Sequence, residues 1–368
     1  MQQLRLDTIK RIVVRGTNWV GDAVMTVPAL RELRRLLPDA HVTLAVRSWA
    51  EGLFAEADFI DDLMIYDRRG LSSVIQQISK WRQRSFDLAV LFQNAFEAAL
   101  IPAVARVPFR IGYVTDGRRA LLTNAIPVPE WRSSKHEVFY YLNVVAEIER
   151  LLTGRETILG KRPDCSLNIS ERRKTEGRDL LRVNGVRDGH PLVALCPGSI
   201  NSRAKRWPAG RYAVLADQLI EEMDTEVLLI GSKDELEVSV EVSRLMRNEP
   251  VMLTAKSDLA QAVSVLSLVD LLVTNDTGPA HIASALGRPT LVIFGPTNPL
   301  TTRPFSSMAE IVRRPPVCAP CMLRDCPIDH RCMTAISPDD VFERARVLLR
   351  SSLETGTEKH ACPTGAMA

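Results

Sequence analysis

Short apolar runs of strand length alternate along this chain with longer segments in which apolar residues recur every three or four positions. Most of the runs lead through a short polar loop into one of these helical segments. This alternation is typical of βαβ units in a parallel sheet, and it predicts an α/β fold with two doubly wound domains. The main predicted strands are residues 11–16, 41–46, 63–66 and 87–92 in the first half, and 191–196, 226–231, 269–274 and 289–294 in the second.

A charged stretch with few aromatic residues, 160–188, separates the two halves. We therefore predict an N-terminal domain over residues 1–180 and a C-terminal domain over 181–350, with the polar residues 351–368 as a flexible tail. Ligands of doubly wound sheets bind beyond the carboxyl ends of the strands. Two such domains that face each other are expected to line an interdomain cleft with their polar loops.

Composition places the chain among soluble globular proteins, since 46% of its 368 residues are hydrophobic and 25% are charged. No run of eighteen apolar residues occurs, so the sequence predicts no membrane-spanning helix. The first residues lead into a strand without the apolar core of a signal peptide, which makes a cytoplasmic protein the expectation.

Positive charge is concentrated in the N-terminal half. Between Arg68 and Lys135 there are eleven Lys or Arg residues against four Asp or Glu residues, although the whole chain carries a net charge of only +3. This local excess indicates either an anionic partner or a solvated basic face.

The loop after the first strand, GTNWVGD, contains a candidate catalytic carboxylate. It matches neither the Gly-x-Gly-x-x-Gly fingerprint nor a P-loop. Asp22 stands where the next helix begins, so it either caps that helix or takes a proton from a hydroxyl as a general base. The loop holds no second carboxylate, which disfavours the two-carboxylate arrangement of glycoside hydrolases.

Two loops of the second half offer groups that suit a nucleotide. The loop CPGSINSRAKRWP presents Ser199 directly after a strand and Lys205 between two arginines, which fits a polyphosphate or is simply a basic loop. The loop GSKDE places Asp234 and Glu235 at a helix start. There they either cap the helix or contact ribose hydroxyls.

A fourth loop, NDTGPAH, links a strand to a helix. Asp276, Thr277 and Gly278 lie at the helix start, and His281 follows about one turn later. Backbone N–H groups and the helix dipole favour an anion at such a start. The alternative is that Asp276 or Thr277 only caps the helix, with proline in the first turn.

Four of the seven cysteines form a cluster with short spacings. A cytosolic protein argues against disulfides. Four thiolates can close a structural zinc site or hold an iron–sulfur cluster, but the intervals are short for zinc, and free or buried thiols are the alternative. The cluster comprises Cys318, Cys321, Cys326 and Cys332.

Three segments together resemble the lipopolysaccharide heptosyltransferases of glycosyltransferase family 9, and most closely their heptosyltransferase II type. They are NWVGDAVMTVPALREL, CPGS with AKRWP, and DLLVTNDTGPAHIASALGRPTLVIFGPTNP, in this order along residues 11–300. The resemblance implies a GT-B fold of two Rossmann-like domains, with an N-terminal acceptor domain and a C-terminal donor domain. It implies inverting transfer of heptose from ADP-heptose to the anionic lipopolysaccharide core. The enzyme would be cytoplasmic and peripheral at the cytoplasmic face of the inner membrane, and no nucleic-acid partner is expected.

The resemblance also implies roles for single residues. Asp22 would be the general base, and Arg118 and Arg119, in RIGYVTDGRRALLTN, would meet the anionic acceptor. The donor would be held by Ser199, Lys205, Glu235 (with Asp234 as the alternative to Glu235), Asp276, Thr277, Gly278 and His281. No acidic metal motif stands in these loops, so we expect cationic side chains in place of a required cofactor.

Other functions remain open at this point. The shared donor loops do not separate the type II enzymes from types I and III, or from other GT-B transferases that use a different nucleotide sugar. A two-domain sugar-binding protein is the alternative from another class, and the missing export signal and the cationic loops disfavour it.

Overall fold

The computed structural model describes residues 8–360, with side chains described for residues 8–354. The chain forms two compact units. The first comprises Met1–Asn168 and Leu300–Phe305, and the second comprises Ile169–Pro299 and Ser306–Ala368. Each unit is a doubly wound α/β domain, which confirms the predicted fold class.

The first unit is built on a six-stranded sheet in which all neighbouring strands are parallel, in the order β3-β2-β1-β4-β5-β6. The order reverses between β1 and β4, so the loops after these two strands flank the crevice where doubly wound sheets bind ligands. The strands are β1 (Arg11–Arg15), β2 (His41–Val46), β3 (Asp62–Ile65), β4 (Leu88–Leu91), β5 (Phe109–Tyr113) and β6 (Asn124–Ile126).

Helices cover both faces of this sheet. Val13 and Leu91 belong to a core that includes Trp81 of α4 and Ile101 of α5, whereas α2 packs against α6. The helices are α1 (Val20–Met25), α2 (Val27–Leu36), α3 (Glu51–Phe54), α4 (Leu71–Arg84), α5 (Phe96–Val104) and α6 (Glu137–Thr153).

The second unit repeats this plan with the strand order β12-β11-β10-β7-β8-β9, again parallel throughout. Its switch point lies between β7 and β10, so the loops after these strands are adjacent. The strands are β7 (Leu192–Cys196), β8 (Glu226–Leu229), β9 (Val251–Met252), β10 (Leu271–Asn275), β11 (Thr290–Phe294) and β12 (Ala309–Arg313).

Eight further helices follow α6 in the described part of the chain. Phe342 and Leu349 of the last helix join the core around β7 and β10. The helices are α7 (Glu171–Val183), α8 (Ala209–Met223), α9 (Leu236–Leu245), α10 (Leu259–Leu266), α11 (Gly278–Ala285), α12 (Pro299–Thr302), α13 (Arg331–Thr334) and α14 (Pro338–His360).

Two predicted boundaries differ from the structure. The division of the chain falls after Asn168 and not at residue 180, because α7 belongs to the second unit and packs against α10. The last helix, α14, continues to His360, so residues 351–360 of the predicted tail are helical. Residues 361–368 lie outside the described part of the chain.

The charged sequence of α7 concealed this packing. Arg173 is buried and donates from Nη2 to the carbonyl of Ala260 in α10, at 2.8 Å. Gly177 lets the two helices approach closely, because a Cβ there would lie 3.0 Å from the carbonyl of Ser264 and from a methyl group of Leu268. The buried residues of this otherwise polar helix are Arg173, Gly177 and Leu181, so it docks with little apolar surface.

No helix among the residues the structure describes combines the length and apolar character needed to cross a bilayer.

Gly177→Ala and Gly210→Ala form a matched pair for testing the α7–α10 contact. Both alanines gain helix propensity of up to about 1 kcal/mol. At Gly210, in α8, the nearest atom to a new Cβ is 3.9 Å away, so that gain is kept. At Gly177 the clash with backbone atoms costs about 1–3 kcal/mol. Chemical denaturation is expected to find the Gly177 variant less stable than the Gly210 variant by at least about 1 kcal/mol. Equal stabilities would show that the helices separate freely.

Candidate active site

The side chain of Asn275 ties together the two loops at the switch point of the second sheet. Asn275 is fully buried at the end of β10. Its amide nitrogen donates to the carbonyls of Pro197 (2.8 Å) and Gly198 (3.1 Å), and its oxygen accepts from the backbone N–H of Trp207 (3.0 Å). The loop after β7 is thus held against β10 by one residue that satisfies backbone groups on both sides of the loop.

Lys205 and Asp276 form an ion pair where these loops meet. Nζ of Lys205 lies 2.9 Å from Oδ2 of Asp276 and donates to the Asp276 carbonyl at 3.2 Å. The same Oδ2 accepts from the hydroxyl of Thr297, in the loop after β11, at 2.6 Å. Asp276 is 4% exposed, whereas the Lys205 side chain is 27% exposed. The ammonium group is therefore held in position by a buried carboxylate and still reaches solvent.

The N-terminus of α11 carries no side-chain cap. Thr277 precedes the helix, but its hydroxyl lies 3.1 Å from Oγ1 of Thr274 and donates to the carbonyl of Asn275 at 3.3 Å. The carboxylate of Asp276 is turned to Lys205 and Thr297. The interpretation of Asp276 or Thr277 as a simple cap is therefore wrong, and the positive end of the helix, beginning at Gly278, is open to an anion.

The loop after β7 brings two more predicted residues to the same edge. Ser199 is buried, and its carbonyl accepts from Nε (3.2 Å) and Nη2 (3.0 Å) of Arg206. Glu235 is also buried and lies against Gly198, where an added Cβ would be only 2.3 Å from its Oε1. Close contact with this carboxylate is thus the reason for glycine at position 198.

Glu235 also completes a capping box with Ser232. Its Oε2 accepts from the backbone N–H of Ser232 at 2.8 Å and from the hydroxyl at 2.9 Å. Asp234 is exposed. Of the two acids left open by the sequence, Glu235 is the one that the fold holds beside the loop after β7.

His281 and Arg203 complete the predicted groups of this unit. His281 lies in α11 and is 5% exposed. Arg203 turns away from the Lys205–Asp276 pair, since its Nε donates to Asp325 at 2.7 Å. The positive charge predicted for this loop is therefore supplied at the switch point by Lys205 and Arg206.

Asp22 lies in the first turn of α1, in the first unit. Its Oδ1 accepts from the hydroxyl of Tyr141 in α6, at 3.1 Å. Burial, and then the charge of Asp22, raise the pKa of Tyr141 well above its ordinary value, so the phenol stays a donor. Tyr141 therefore orients a half-buried carboxylate.

A second carboxylate that the loop sequence does not contain lies near Asp22. Burial raises the pKa of Glu137, Arg132 lowers it, and Asp22 raises it further. Arg132 binds Glu137 through both guanidinium nitrogens, with Nη2 at 2.7 Å from Oε1. Glu137 therefore has its own cationic partner in Arg132.

The structure places the two predicted acceptor-binding arginines differently. Arg118 is fully buried, and its guanidinium donates to the carbonyls of Tyr113 (2.9 Å) and Gln93 and to Oδ1 of Asn94 (3.0 Å). It therefore joins the loops after β4 and β5 and has no free face for a ligand. Arg119 is exposed.

The cysteine-bearing segment between β12 and α13 supports the loop of Lys205. The backbone N–H of Ala204 donates to the Arg324 carbonyl at 2.9 Å, and Nε2 of His330 lies 2.6 Å from the Ala204 carbonyl. These contacts hold the short helix Arg203–Lys205 from both sides.

The described cysteines are all free thiols, and Cys362 lies outside the described residues. Cys318 is exposed, whereas Cys332 is buried and would lie 3.3 Å from a Cβ at Gly295. Within the described part of the chain, no three His, Cys, Asp or Glu side chains are arranged to hold a metal ion. The structural metal suggested for Cys318, Cys321, Cys326 and Cys332 is therefore unsupported.

Sequence reasoning missed Asn275, Thr297 and Tyr141. Asn275 and Thr297 stand inside the segment that carries the resemblance, so the motif itself was their signal. Tyr141 lies 119 positions from Asp22, and only the packing of α1 on α6 brings them together.

Asn275→Ala is expected to destabilise the second unit by about 2–4 kcal/mol, because it leaves two buried carbonyls and one buried N–H without partners. Asn201→Ala, an exposed position in the loop after β7, is the matched control and is expected to change stability by less than about 0.5 kcal/mol. The free energies of unfolding come from urea denaturation. Similar losses in both variants would mean that Asn275 does not hold the loops together.

Comparison with known proteins agrees with this geometry. The family model of glycosyltransferase family 9 (heptosyltransferase) matches residues 74–331. Lipopolysaccharide heptosyltransferase 2 of Salmonella typhimurium is 30% identical over an alignment of 321 residues that covers 82% of this chain and 88% of the relative. Its namesake from Escherichia coli is 29% identical over 319 residues, with the same coverage.

A solved structure extends the similarity to the fold. The structure of Escherichia coli ADP-heptose lps heptosyltransferase II matches 93% of this chain and 99% of its own, with a TM-score of 0.80 and 26% identity. The two six-stranded parallel sheets are those of a GT-B glycosyltransferase. The chain described above belongs to glycosyltransferase family 9, the heptosyltransferases.

Proposed function

We propose that this enzyme transfers L-glycero-D-manno-heptose from ADP-heptose to the heptosyl-Kdo-lipid A inner core of lipopolysaccharide, with inversion at the anomeric carbon. The relatives at 29% and 30% identity are lipopolysaccharide heptosyltransferases 2, and the related structure is that of an ADP-heptose enzyme. The observation that carries the proposal is the Lys205–Asp276 pair beside the uncapped start of α11. Together they form a site for a diphosphate.

This site acts on the leaving group. As the bond from the anomeric carbon to the diphosphate oxygen breaks, negative charge grows on that oxygen. The Lys205 ammonium and the start of α11 at Gly278 stabilise this charge most strongly when it is fully developed, which lowers the barrier. Asp276 holds Lys205 in place beforehand, so little reorganisation is needed during the reaction.

Asp22 acts on the nucleophile. An acceptor hydroxyl attacks the anomeric carbon from the face opposite the diphosphate, and Asp22 takes its proton, worth about 10²–10⁴-fold in rate. The hydrogen bond from Tyr141 fixes the carboxylate orientation. The products are ADP and the extended oligosaccharide, and Asp22 returns its proton to solvent.

The two units divide the substrates between them in this proposal. The first unit, with Asp22 and the exposed Arg119, binds the anionic acceptor. The second unit binds the donor, with Ser199 and His281 lining its pocket and Glu235 close to the ribose. The capping box that holds Glu235 supports this choice over the exposed Asp234.

A lipid-anchored acceptor requires the enzyme to work at a membrane surface, and we place it at the cytoplasmic face of the inner membrane. Leu71 and Ile75 lie one turn apart on α4 and are 79% and 66% exposed. Arg68 and Arg69 directly precede this helix and are also exposed. Apolar side chains beside cations are typical of peripheral contact with anionic lipid.

Mass spectrometry of the reaction product tests the proposal. The enzyme is incubated with ADP-heptose and defined truncated cores that end in Kdo, in one heptose or in two heptoses. We expect a single heptose to be added to the core that ends in one heptose. Addition only to the heptose-free core, or only to the core with two heptoses, would assign a type I or type III enzyme instead. No transfer to any core would contradict the heptosyltransferase proposal.

Asp22→Asn is expected to lower kcat at least about a hundredfold, because the amide cannot accept the proton. Affinity for ADP, measured by calorimetry, is expected to stay within twofold of the unmodified enzyme. A variant with near-normal kcat would remove Asp22 as the general base.

Lys205→Met is expected to weaken ADP binding at least about tenfold, since it removes one charge-assisted contact to the diphosphate. Arg203→Met is the matched control from the same short helix, because Arg203 is exposed and paired with Asp325. Its ADP affinity is expected to stay within twofold. Equal losses in the two variants would indicate a general electrostatic effect without specific contact by Lys205.

A further inference from the structure

Arg15, the last residue of β1, is a buried cation without a carboxylate partner. It is 3% exposed, and its guanidinium takes part in none of the ion pairs found among the described residues. Nη1 donates to the Ala45 carbonyl at 3.0 Å, and the group lies over the ring of Tyr66, 5.1 Å from its centre. Nε has no hydrogen-bond partner. A buried guanidinium with one hydrogen bond is costly unless another group completes its coordination.

The surroundings of Arg15 add positive charge. Burial, and then the charge of Arg47 just beyond the neighbouring strand β2, lower the pKa of Arg15 to about 10. The charge of Glu97 acts on Arg15, but Glu97 already accepts a hydrogen bond from the Tyr66 hydroxyl and pairs with Nε of Arg68 at 2.7 Å. The local charge balance therefore favours an additional anion.

Two other buried polar atoms without hydrogen-bond partners lie in the loops after β1 and β4. Thr17, 6% exposed, lies in the loop after β1 that leads to Asp22, and its hydroxyl has no partner. Oε1 of Gln93, directly beyond β4, is also buried and unpartnered, while the Gln93 backbone N–H lies 3.4 Å from the Arg15 carbonyl. These residues flank the point where the strand order reverses, which is where doubly wound sheets bind ligands.

We infer that Arg15 and Arg47 form a subsite for an anionic group of the acceptor saccharide, with Thr17 and Gln93 available to its hydroxyls. This inference rests on the proposed function. The ligand chemistry is a carboxylate or a phosphate on a sugar, since the planar guanidinium fork of Arg15 matches the oxygens of both groups. Arg118 was expected to bind this anion from sequence, but its donors are already occupied by protein atoms.

A structural role and a ligand-binding role for Arg15 predict opposite effects on stability. If the protein already satisfies the guanidinium, its removal destabilises the fold. If the guanidinium awaits an anion, an apolar residue of similar length relieves a buried charge and leaves the substrate-free fold equally or more stable. Functional residues often carry such a cost in the absence of their ligand.

Arg15→Met is therefore expected to keep or raise the melting temperature of the substrate-free enzyme. It is also expected to raise KM for the acceptor at least tenfold, while KM for ADP-heptose stays within twofold. Arg15→Lys keeps the charge but loses the fork, so an intermediate acceptor KM is expected.

Arg110→Met is the matched control in the same sheet. Arg110 is partly buried, and its guanidinium donates to the carbonyls of Leu121 (2.7 Å) and Val107 (2.5 Å). This variant is expected to melt at a lower temperature and to leave the acceptor KM unchanged. Comparison of Arg15→Met with Arg110→Met separates the effect of losing any partly or fully buried arginine from the effect of losing an arginine with N–H groups that lack protein partners.

Two modified acceptors identify the anion. One is treated with phosphatase to remove its phosphates, and the other has its sugar carboxylates converted to amides. For each acceptor, the KM of Arg15→Met is divided by the KM of the unmodified enzyme. This ratio is expected to fall to near one for the acceptor that lacks the group bound by Arg15. A ratio that stays tenfold or more on both modified acceptors overturns the anion subsite.

The remaining outcomes are also decisive. An acceptor KM within twofold of the unmodified enzyme in Arg15→Met overturns the inference, and so does a clear fall in melting temperature. Absence of transfer by the unmodified enzyme would instead contradict the proposed function. In that case the subsite is tested by calorimetric titration of the acceptor into the unmodified enzyme and into Arg15→Met. Equal acceptor affinity of these two proteins overturns the subsite.

Discussion

The buried amide of Asn275 is the interaction on which the candidate donor site depends. It satisfies the carbonyls of Pro197 and Gly198 and the N–H of Trp207, so it fixes both ends of the loop that carries Lys205. An amide is the side chain that can donate and accept in one place, and a carboxylate or hydroxyl would leave a backbone group unsatisfied. The ion pair of Lys205 with Asp276 is then formed between elements that are already in position.

The order of strands and helices was predictable because a parallel sheet needs apolar runs on its strands and long crossovers between them. The same regularity predicts the four polar loops at the carboxyl ends of their strands. It fails at α7, whose polar sequence predicts a stretch that separates the two domains. A helix that docks through Gly177 and Arg173 has almost no apolar face, and periodicity detects only apolar faces.

The sequence predicts which residues stand in these loops, but not what each of them contacts. Sequence places Asp276 and Thr277 at a helix start, where capping is the usual reason for such residues. In the structure the carboxylate of Asp276 serves Lys205 and Thr297 instead. That choice is made by the loops after β7 and β11, which lie far away in sequence, so a local pattern contains no information about it.

Arg15 and Arg118 show the same limit for cations. Both are buried arginines near the carboxyl edge of the first sheet, and from sequence Arg118 was expected to bind the acceptor. Arg118 uses its donors on carbonyls of the loops after β4 and β5, so it stabilises the edge that a ligand approaches. Arg15 has one such bond and an unpartnered Nε. The two arginines are alike in charge and burial. What distinguishes them is how many guanidinium N–H groups already donate to protein atoms, because only an arginine with donors left over can bind a substrate.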